Sequence, residues 1–302
     1  MNTWLPEFRC PDCRACVAEH GEGTLVCDGC GQSYRVQSDI WDFLPEGRRA
    51  RFDGFGRQYR TVREREGRRS VAPDFYRRLP WVPRTDPFAS EWRVRGESYR
   101  HLLRHVLAIG PQPGTMLDLG AGSGWLAHRL SLLGHRVVAV DVLADDLDAL
   151  GVVRHFATPI VAVRADFDAL PFADGQFDVV VFNGSLHYAP DAAGSLTRAR
   201  RMLRRGGALV VMDSPMFRAD RDGAAMLGEW TRRMASEHHL ESVIQPGCGF
   251  LTFGCLDATA GAMNLQHQFV RSRGPLAWRV RRRFARIRLG RQPASFGVWM
   301  AR

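Results

Sequence analysis

The chain of 302 residues contains no lysine; all 42 of its basic residues are arginine. Phosphate recognition alone would not exclude lysine, which contacts phosphate well, so a GC-rich coding bias is the simpler cause. Also missing is any apolar run approaching the roughly 20 residues needed to span a bilayer. The first residues have neither the basic start nor the apolar core of a secretory signal. These absences exclude a helical membrane span and lead to the expectation of a soluble, cytoplasmic protein. Cysteine is scarce beyond the N-terminus: five of the seven fall in the first thirty residues. Such clustering argues against scattered disulfides and for a metal site. No internal repeat or low-complexity tract is present.

The net charge of +10 is unevenly placed. Residues 1–46 hold 3 Arg against 8 acids, 47–105 hold 16 against 7, 106–270 hold 13 against 17, and 271–302 hold 10 Arg and no acid. A basic strip can bind nucleic acid or another anionic surface, or can simply be a set of solvated helix faces.

Cys10-Pro-Asp-Cys13 and Cys27-Asp-Gly-Cys30 are two Cys-x-x-Cys knuckles. Four thiolates in that arrangement close a tetrahedral structural zinc site with no open position for catalysis. Cys16 is a fifth thiol able to replace Cys13, although the paired knuckles are the more regular set. Tyr34, Val36, Ile40, Trp41 and Phe43 follow as a short strand and apolar exit, too small a core to stand without metal. Residues 1–46 are therefore expected to be a zinc ribbon, 47–105 an Arg-rich helical linker or cap, and 106–302 the main α/β domain.

From residue 114 the pattern alternates. Strands are expected near 115–119, 136–140, 160–164, 178–182 and 207–213, with helices near 123–133, 144–154, 191–204 and 223–238. Beyond them the pattern gives a helix at 252–263, strands near 265–271 and 295–301, and an Arg-rich helix at 276–288. In the cap, helices are expected around 48–66 and 88–108. Short, β-branched strands alternating with helices make a parallel sheet covered on both faces.

The first strand ends in Asp118-Leu-Gly120-Ala-Gly122-Ser-Gly124, and the second ends in Asp141. Glycines at every second position let backbone approach a ligand closely, and the following helix N-terminus offers free N–H groups. Asp118 can accept from an ammonium group, and a strand-end acid such as Asp141 can take both ribose hydroxyls. The set suits a ligand with a ribose and an amino acid but no pyrophosphate.

Here the chain resembles the class I S-adenosylmethionine-dependent methyltransferases, over about residues 114–213. Asp118-x-Gly-x-Gly-x-Gly124 is similar to their first motif, Asp141 to their ribose acid, and Ala165-Asp166-Phe167 to the strand end that meets adenine. Leu170-Pro171-Phe172 with Phe177-Asp178 resembles the approach to the fourth strand, and Gly206-Gly207 the entry to the fifth. The resemblance implies an α/β, Rossmann-like seven-stranded sheet and S-adenosylmethionine as cofactor. It implies cofactor contacts at Asp118, Gly120, Ala121, Gly122, Asp141, Val142, Asp166, Phe167 and Asn183. In the segment after the fourth strand His187 is a candidate base, or else a lining residue. On the helix ahead of the first strand, Arg95 could pair with the cofactor's carboxylate, with Arg93 and Tyr99 beside it. Tyr59 and Arg63, one helix earlier, are candidates for a substrate lid. The Asn183 segment is not Asn/Asp-Pro-Pro-Tyr, which lowers the expectation of amino methylation on nucleobases. His238-His239 and Cys248 with Cys255 complete no site.

The ribbon is similar to the small zinc-ribbon activator subunit of tRNA, rRNA and release-factor methyltransferases. A ribbon fused to a methyltransferase domain also resembles the bacterial 23S ribosomal RNA guanine methyltransferase. Its acidic balance makes it a poor phosphate clamp. The reading is a methyltransferase of a small-molecule acceptor, with RNA methylation as the alternative. A non-catalytic scaffold that recruits a protein partner through the ribbon is the third possibility. The acceptor pocket is expected from 47–105 and 214–264.

Overall fold

The computed structural model describes residues 4–302 apart from 22, 71, 241–243, 245 and 246, with the backbone alone at 277, 281–283, 285 and 286. Part of the expected acceptor span 214–264 therefore lies outside the described residues. Strands β1 (Val17–Glu19), β2 (Thr24–Cys27), β3 (Ser33–Gln37) and β4 (Ile40–Asp42) form an antiparallel ribbon. The cap comprises α1 (Glu46–Arg65), α2 (Pro73–Arg78) and α3 (Ala89–His105). Then come β5 (Thr115–Leu119), α4 (Trp125–Leu132), β6 (Arg136–Asp141), β7 (Ile160–Arg164), β8 (Phe177–Asn183), α5 (Ala192–Met202) and β9 (Leu203–Met212). The chain closes with β10 (Met216–Phe217), α6 (Asp220–His238), β11 (Leu251–Thr252), α7 (Phe253–Ala262), β12 (His267–Arg271), α8 (Leu276–Leu289) and β13 (Gly297–Ala301).

The expected seven-stranded sheet is present in the order β7-β6-β5-β8-β9-β13-β12. Strands β5 to β9 run parallel, while β13 and β12 are antiparallel. The central strands are buried along nearly their whole length, as Val-rich strands sandwiched by helices must be. From β5 the chain steps outward to β6 and β7, then returns to β8 on the other side of β5. That reversal opens a crevice at the carboxyl ends of β5 and β8, the position where open α/β sheets bind ligands.

One face of the sheet packs on α2, α3 and α4 through Tyr76, Leu79, Leu102 and Leu126. The other packs on α5 and α7 through Leu196 and Leu256. That second core also takes in Cys10, Leu25, Tyr34 and Phe43 of the ribbon. β4 pairs in parallel with β7, so the ribbon strands extend the sheet to eleven. Phe8 packs its ring, tilted, against Phe43 at 4.8 Å and Phe172 at 5.9 Å, contacts worth about 0.5–1.5 kcal/mol each beyond area burial. Arg14 donates to the carbonyls of Leu170 and Phe172 at 2.8 and 2.7 Å.

The helix expected at 144–154 is corrected: only a 3-10 segment, Leu150–His155, is helical there. The preceding acids are used elsewhere. Asp145 Oδ1 accepts from the Leu147 N–H at 3.2 Å in a local turn, and Asp145 and Asp148 pair with arginines of the cap. A Cβ at Gly151 would lie 2.4 Å from Asp146 Oδ1, so the backbone folds back too tightly for a regular helix.

Candidate active site

The crevice opens into a cavity of about 940 Å³. Its floor is the turn between β5 and α4, where Gly120, Gly122 and Gly124 have φ of +71°, +55° and +70°. Only glycine adopts that region without strain. Gly120 also allows Ser185 to approach, since a Cβ there would sit 2.3 Å from the Ser185 Cβ. The N–H groups of Gly120 and Ala121 bond the Val140 carbonyl, pinning the turn to the end of β6.

Asp141 lines the cavity. Its Oδ2 accepts from the Gly122 N–H at 2.8 Å and its Oδ1 from the Leu143 N–H at 2.9 Å. Each oxygen keeps a second lone pair for an outside donor. Burial pushes this carboxyl upward, opposed by those backbone donors. Val142, Phe167 and Asn183 line the wall with the turn, as do Arg95 and His187.

Two of the expected residues, Asp118 and Asp166, lie behind the cavity wall and are not among its lining residues. Asp118 has 0% exposure and neither carboxylate oxygen has a partner among the described residues. By strand alternation it shares the face of Met116, which packs under α4, rather than the ligand end. Burial, with Asp141 nearby, pushes its carboxyl up to about 8. Asp166 is buried, accepts from the Asp168 N–H at 2.9 Å, and lies 3.6 Å from Arg48 of α1.

His187 Nδ1 is 3.2 Å from Ser214 Oγ. Burial, reinforced by Arg95, lowers its pKa to about 4, so it is neutral and a weak base near pH 7. Arg95 stands over Trp92 at 5.1 Å and has no ion-pair partner among the described residues. Arg93 points elsewhere, lining a separate hollow with Trp81 and Arg100, and Tyr99 is a core residue. Tyr59 and Arg63 do line the main cavity. Arg63 Nε pairs with Asp148 at 2.5 Å and Arg69 with Asp145 at 3.0 Å, latching α1 and its following loop over the glycine turn.

Sequence reasoning missed Asp213, just past the end of β9. Its Oδ1 accepts from Ser98 Oγ at 2.5 Å, and Ser98 meets Ser272 at 2.7 Å. Oδ2 is buried without a partner among the described residues. Burial raises the carboxyl to about 6, against the pull of Arg95. An acid at a strand's carboxyl end was the available signal. The apolar wall from α6, Met226, Leu227, Trp230 and Met234, was missed too, because a helical stripe of this kind reads as ordinary core.

Away from the cavity, the sulfurs of Cys10, Cys13, Cys27 and Cys30 all lie within 4.8 Å of one another. Cys13 and Cys27 are 3.3 Å apart and Cys10 and Cys30 3.7 Å, close to the edge of a tetrahedron with metal–sulfur bonds of about 2.3 Å. Cys16 is instead bonded by Arg9.

Comparison with known proteins gives this geometry a family. Residues 117–211 match the family described as Methyltransferase domain. The match runs from β5 to β9. The malonyl-[acyl-carrier protein] O-methyltransferase of Hahella chejuensis is 32% identical over 100 residues, 32% of this chain and 36% of that protein. The demethylmenaquinone methyltransferase of Beutenbergia cavernae is 36% identical over 107 residues, 35% of this chain and 43% of that protein. Curated relatives such as these are matched over 36% to 56% of their own length. The structure of a putative sarcosine dimethylglycine methyltransferase from Galdieria sulphuraria superposes with a TM-score of 0.50 at 15% identity, covering 81% of this chain and 97% of that one. That likeness is one of fold. The matched segment thus holds the glycine turn and Asp141, and the α1, α3 and α6 walls of the cavity lie outside it.

Proposed function

We propose that the chain is an S-adenosylmethionine-dependent methyltransferase acting on a small-molecule acceptor with an apolar part. The observation that carries this reading is the joining, in one cavity, of the glycine turn and Asp141 with an apolar wall from α6. The cofactor, when bound, supplies a methyl group already activated on a sulfonium. The residues present fit it. The Gly120–Gly122 backbone leaves room for close approach, Asp141 has lone pairs for ribose hydroxyls, and Phe167 offers an apolar flank for a base. Arg95, a cation with no ion-pair partner among the described residues, would hold a carboxylate. Asp118 and Asp166, sealed from the cavity, would support the turn and the Phe167 loop rather than touch the ligand.

Because methyl transfer from such a donor needs mainly alignment and exclusion of water, the latch of Arg63 on Asp148 is a working part of the site. Among proton-holding groups Asp213, with a free oxygen and a pKa near 6, is a better acceptor than His187 and would orient a donor group of the substrate. A small-molecule acceptor is favoured over RNA because cap arginines are occupied by the chain's own acids: Arg49 by Asp42, Arg63 by Asp148, Arg68 by Glu91 and Arg69 by Asp145. The reading divides the chain into a ribbon (1–46) whose four cysteines would hold structural zinc, a cap (47–105) and a cofactor-binding domain (106–302). Calorimetry with S-adenosylhomocysteine tests it: wild type binds, and Asp141→Ala loses binding while keeping its fold by circular dichroism. Unchanged affinity in the variant would sink the assignment of Asp141.

A further inference from the structure

Several cap arginines are paired with the chain's own acids, as above. Helix α8 carries six arginines and no acid, inside a stretch from 271 to 302 that has no acid at all. Of the six, Arg279 and Arg288 are described and both are exposed. Along the same helix Leu276, Val280, Phe284 and Ile287 are 70%, 49%, 62% and 83% exposed. At the helical repeat these four fall in one stripe about 80° wide. Trp278 lies on the opposite side, where its ring would be 3.1 Å from a Cβ placed on Gly274.

The segments on either side of the helix are tied to the rest of the chain. Before it, the N–H groups of Arg273 and Gly274 donate to Glu97 at 2.9 and 2.8 Å. After it, Arg291 makes a two-pronged pair with Glu229 at 2.9 and 2.6 Å. A helix that exposes Phe284 and Ile287 and carries arginines but no acid in its sequence matches one environment in particular. A nucleic acid would use the arginines but leave the apolar stripe wet. A bilayer with anionic headgroups takes both.

We propose that α8 is an interfacial anchor, laying its Val280–Phe284–Ile287 stripe into the surface of an anionic lipid membrane. It lies on the bilayer and does not cross it, since no helix among the described residues is long and apolar enough to span. Arg291 and Phe296, just beyond the helix, line the main cavity, so docking would bring the cavity rim to the membrane. The proposal does not depend on methyl transfer.

The test is flotation of the full chain with vesicles of phosphatidylcholine and phosphatidylglycerol in equal parts, against phosphatidylcholine alone, at near-physiological salt. Binding is expected to the anionic vesicles only. Phe284→Asp with Ile287→Asp should weaken it at least about tenfold with an unchanged circular dichroism spectrum, and Phe284→Trp should keep it and show a blue-shifted emission on binding. Equal binding to neutral vesicles, no loss in the double variant, or no spectral shift in the tryptophan variant would each overturn the proposal. So would a structured RNA that binds the full chain equally well with and without the double substitution while anionic vesicles do not bind.

Discussion

Three glycines, two in the turn after β5 and one before β6, separate backbone strain from steric demand. Gly134, between α4 and β6, has φ +86° and nothing within 4 Å of where a Cβ would sit; Gly122 has φ +55° with only the Asp148 carbonyl at 3.9 Å. Alanine at either should cost about 1–2 kcal/mol for the left-handed conformation alone. Gly120, at φ +71°, adds a Cβ 2.3 Å from the Ser185 Cβ and 2.9 Å from its Oγ. Ser185 cannot simply rotate away, because it is buried and its hydroxyl bonds the Leu119 carbonyl. Overpacking of this kind adds roughly 1–3 kcal/mol. Urea unfolding should therefore rank Gly120→Ala below Gly122→Ala and Gly134→Ala, with the latter two alike. Calorimetry with S-adenosylhomocysteine should split them differently: Gly134→Ala binds normally, whereas Gly122→Ala and Gly120→Ala do not. Equal stability of all three, or normal binding by Gly122→Ala, would refute the reasoning that this turn is both strained and in contact with the ligand.

Other perturbations follow the same geometry. Asp148→Asn leaves Arg63 half-buried without its partner and should lower stability by roughly 3 kcal/mol, read by urea unfolding, with faster proteolysis within α1; a loss under about 0.5 kcal/mol would mean the latch is not holding. Asp118→Asn removes an acid whose folded pKa, about 8, lies above its ordinary 3.8. The stability tied to its protonated form is present below 3.8 and lost as pH rises through 8. The variant should therefore gain on wild type from pH 4 to 8 and hold that lead above it, whereas parallel stability–pH curves would contradict this. His187 runs the other way: with a folded pKa near 4 against 6.5, its contribution is present above 6.5 and lost as pH falls towards 4. A His187→Gln variant should lose part of that acid sensitivity in the same curves. Elemental analysis should find one zinc per chain, absent in Cys27→Ser, and a metal-free wild type would end the ribbon's metal assignment.

The strands were readable because each is a short, apolar, β-branched run. The glycine turn and Asp141 were readable because spacing along one βαβ unit specifies their placement. What escaped depends on distant pairs. The expected helix at 144–154 is undone by arginines 76 to 85 residues away that take Asp145 and Asp148. Asp118 carries the motif but faces α4, since one step along a strand turns a side chain to the other face. The joining of β4 to β7 links residues more than a hundred apart, and nothing in either segment's composition marks it.

That joining also governs how the protein fails. β7, Ile-Val-Ala-Val-Arg, would be a bare sheet edge if the ribbon peeled away. Apolar, unprotected edges template pairing with other chains. Detaching the ribbon would then turn a self-contained molecule into one that polymerises edge to edge, so the N-terminal strands act as the sheet's selvedge, keeping the fabric from joining to its neighbours.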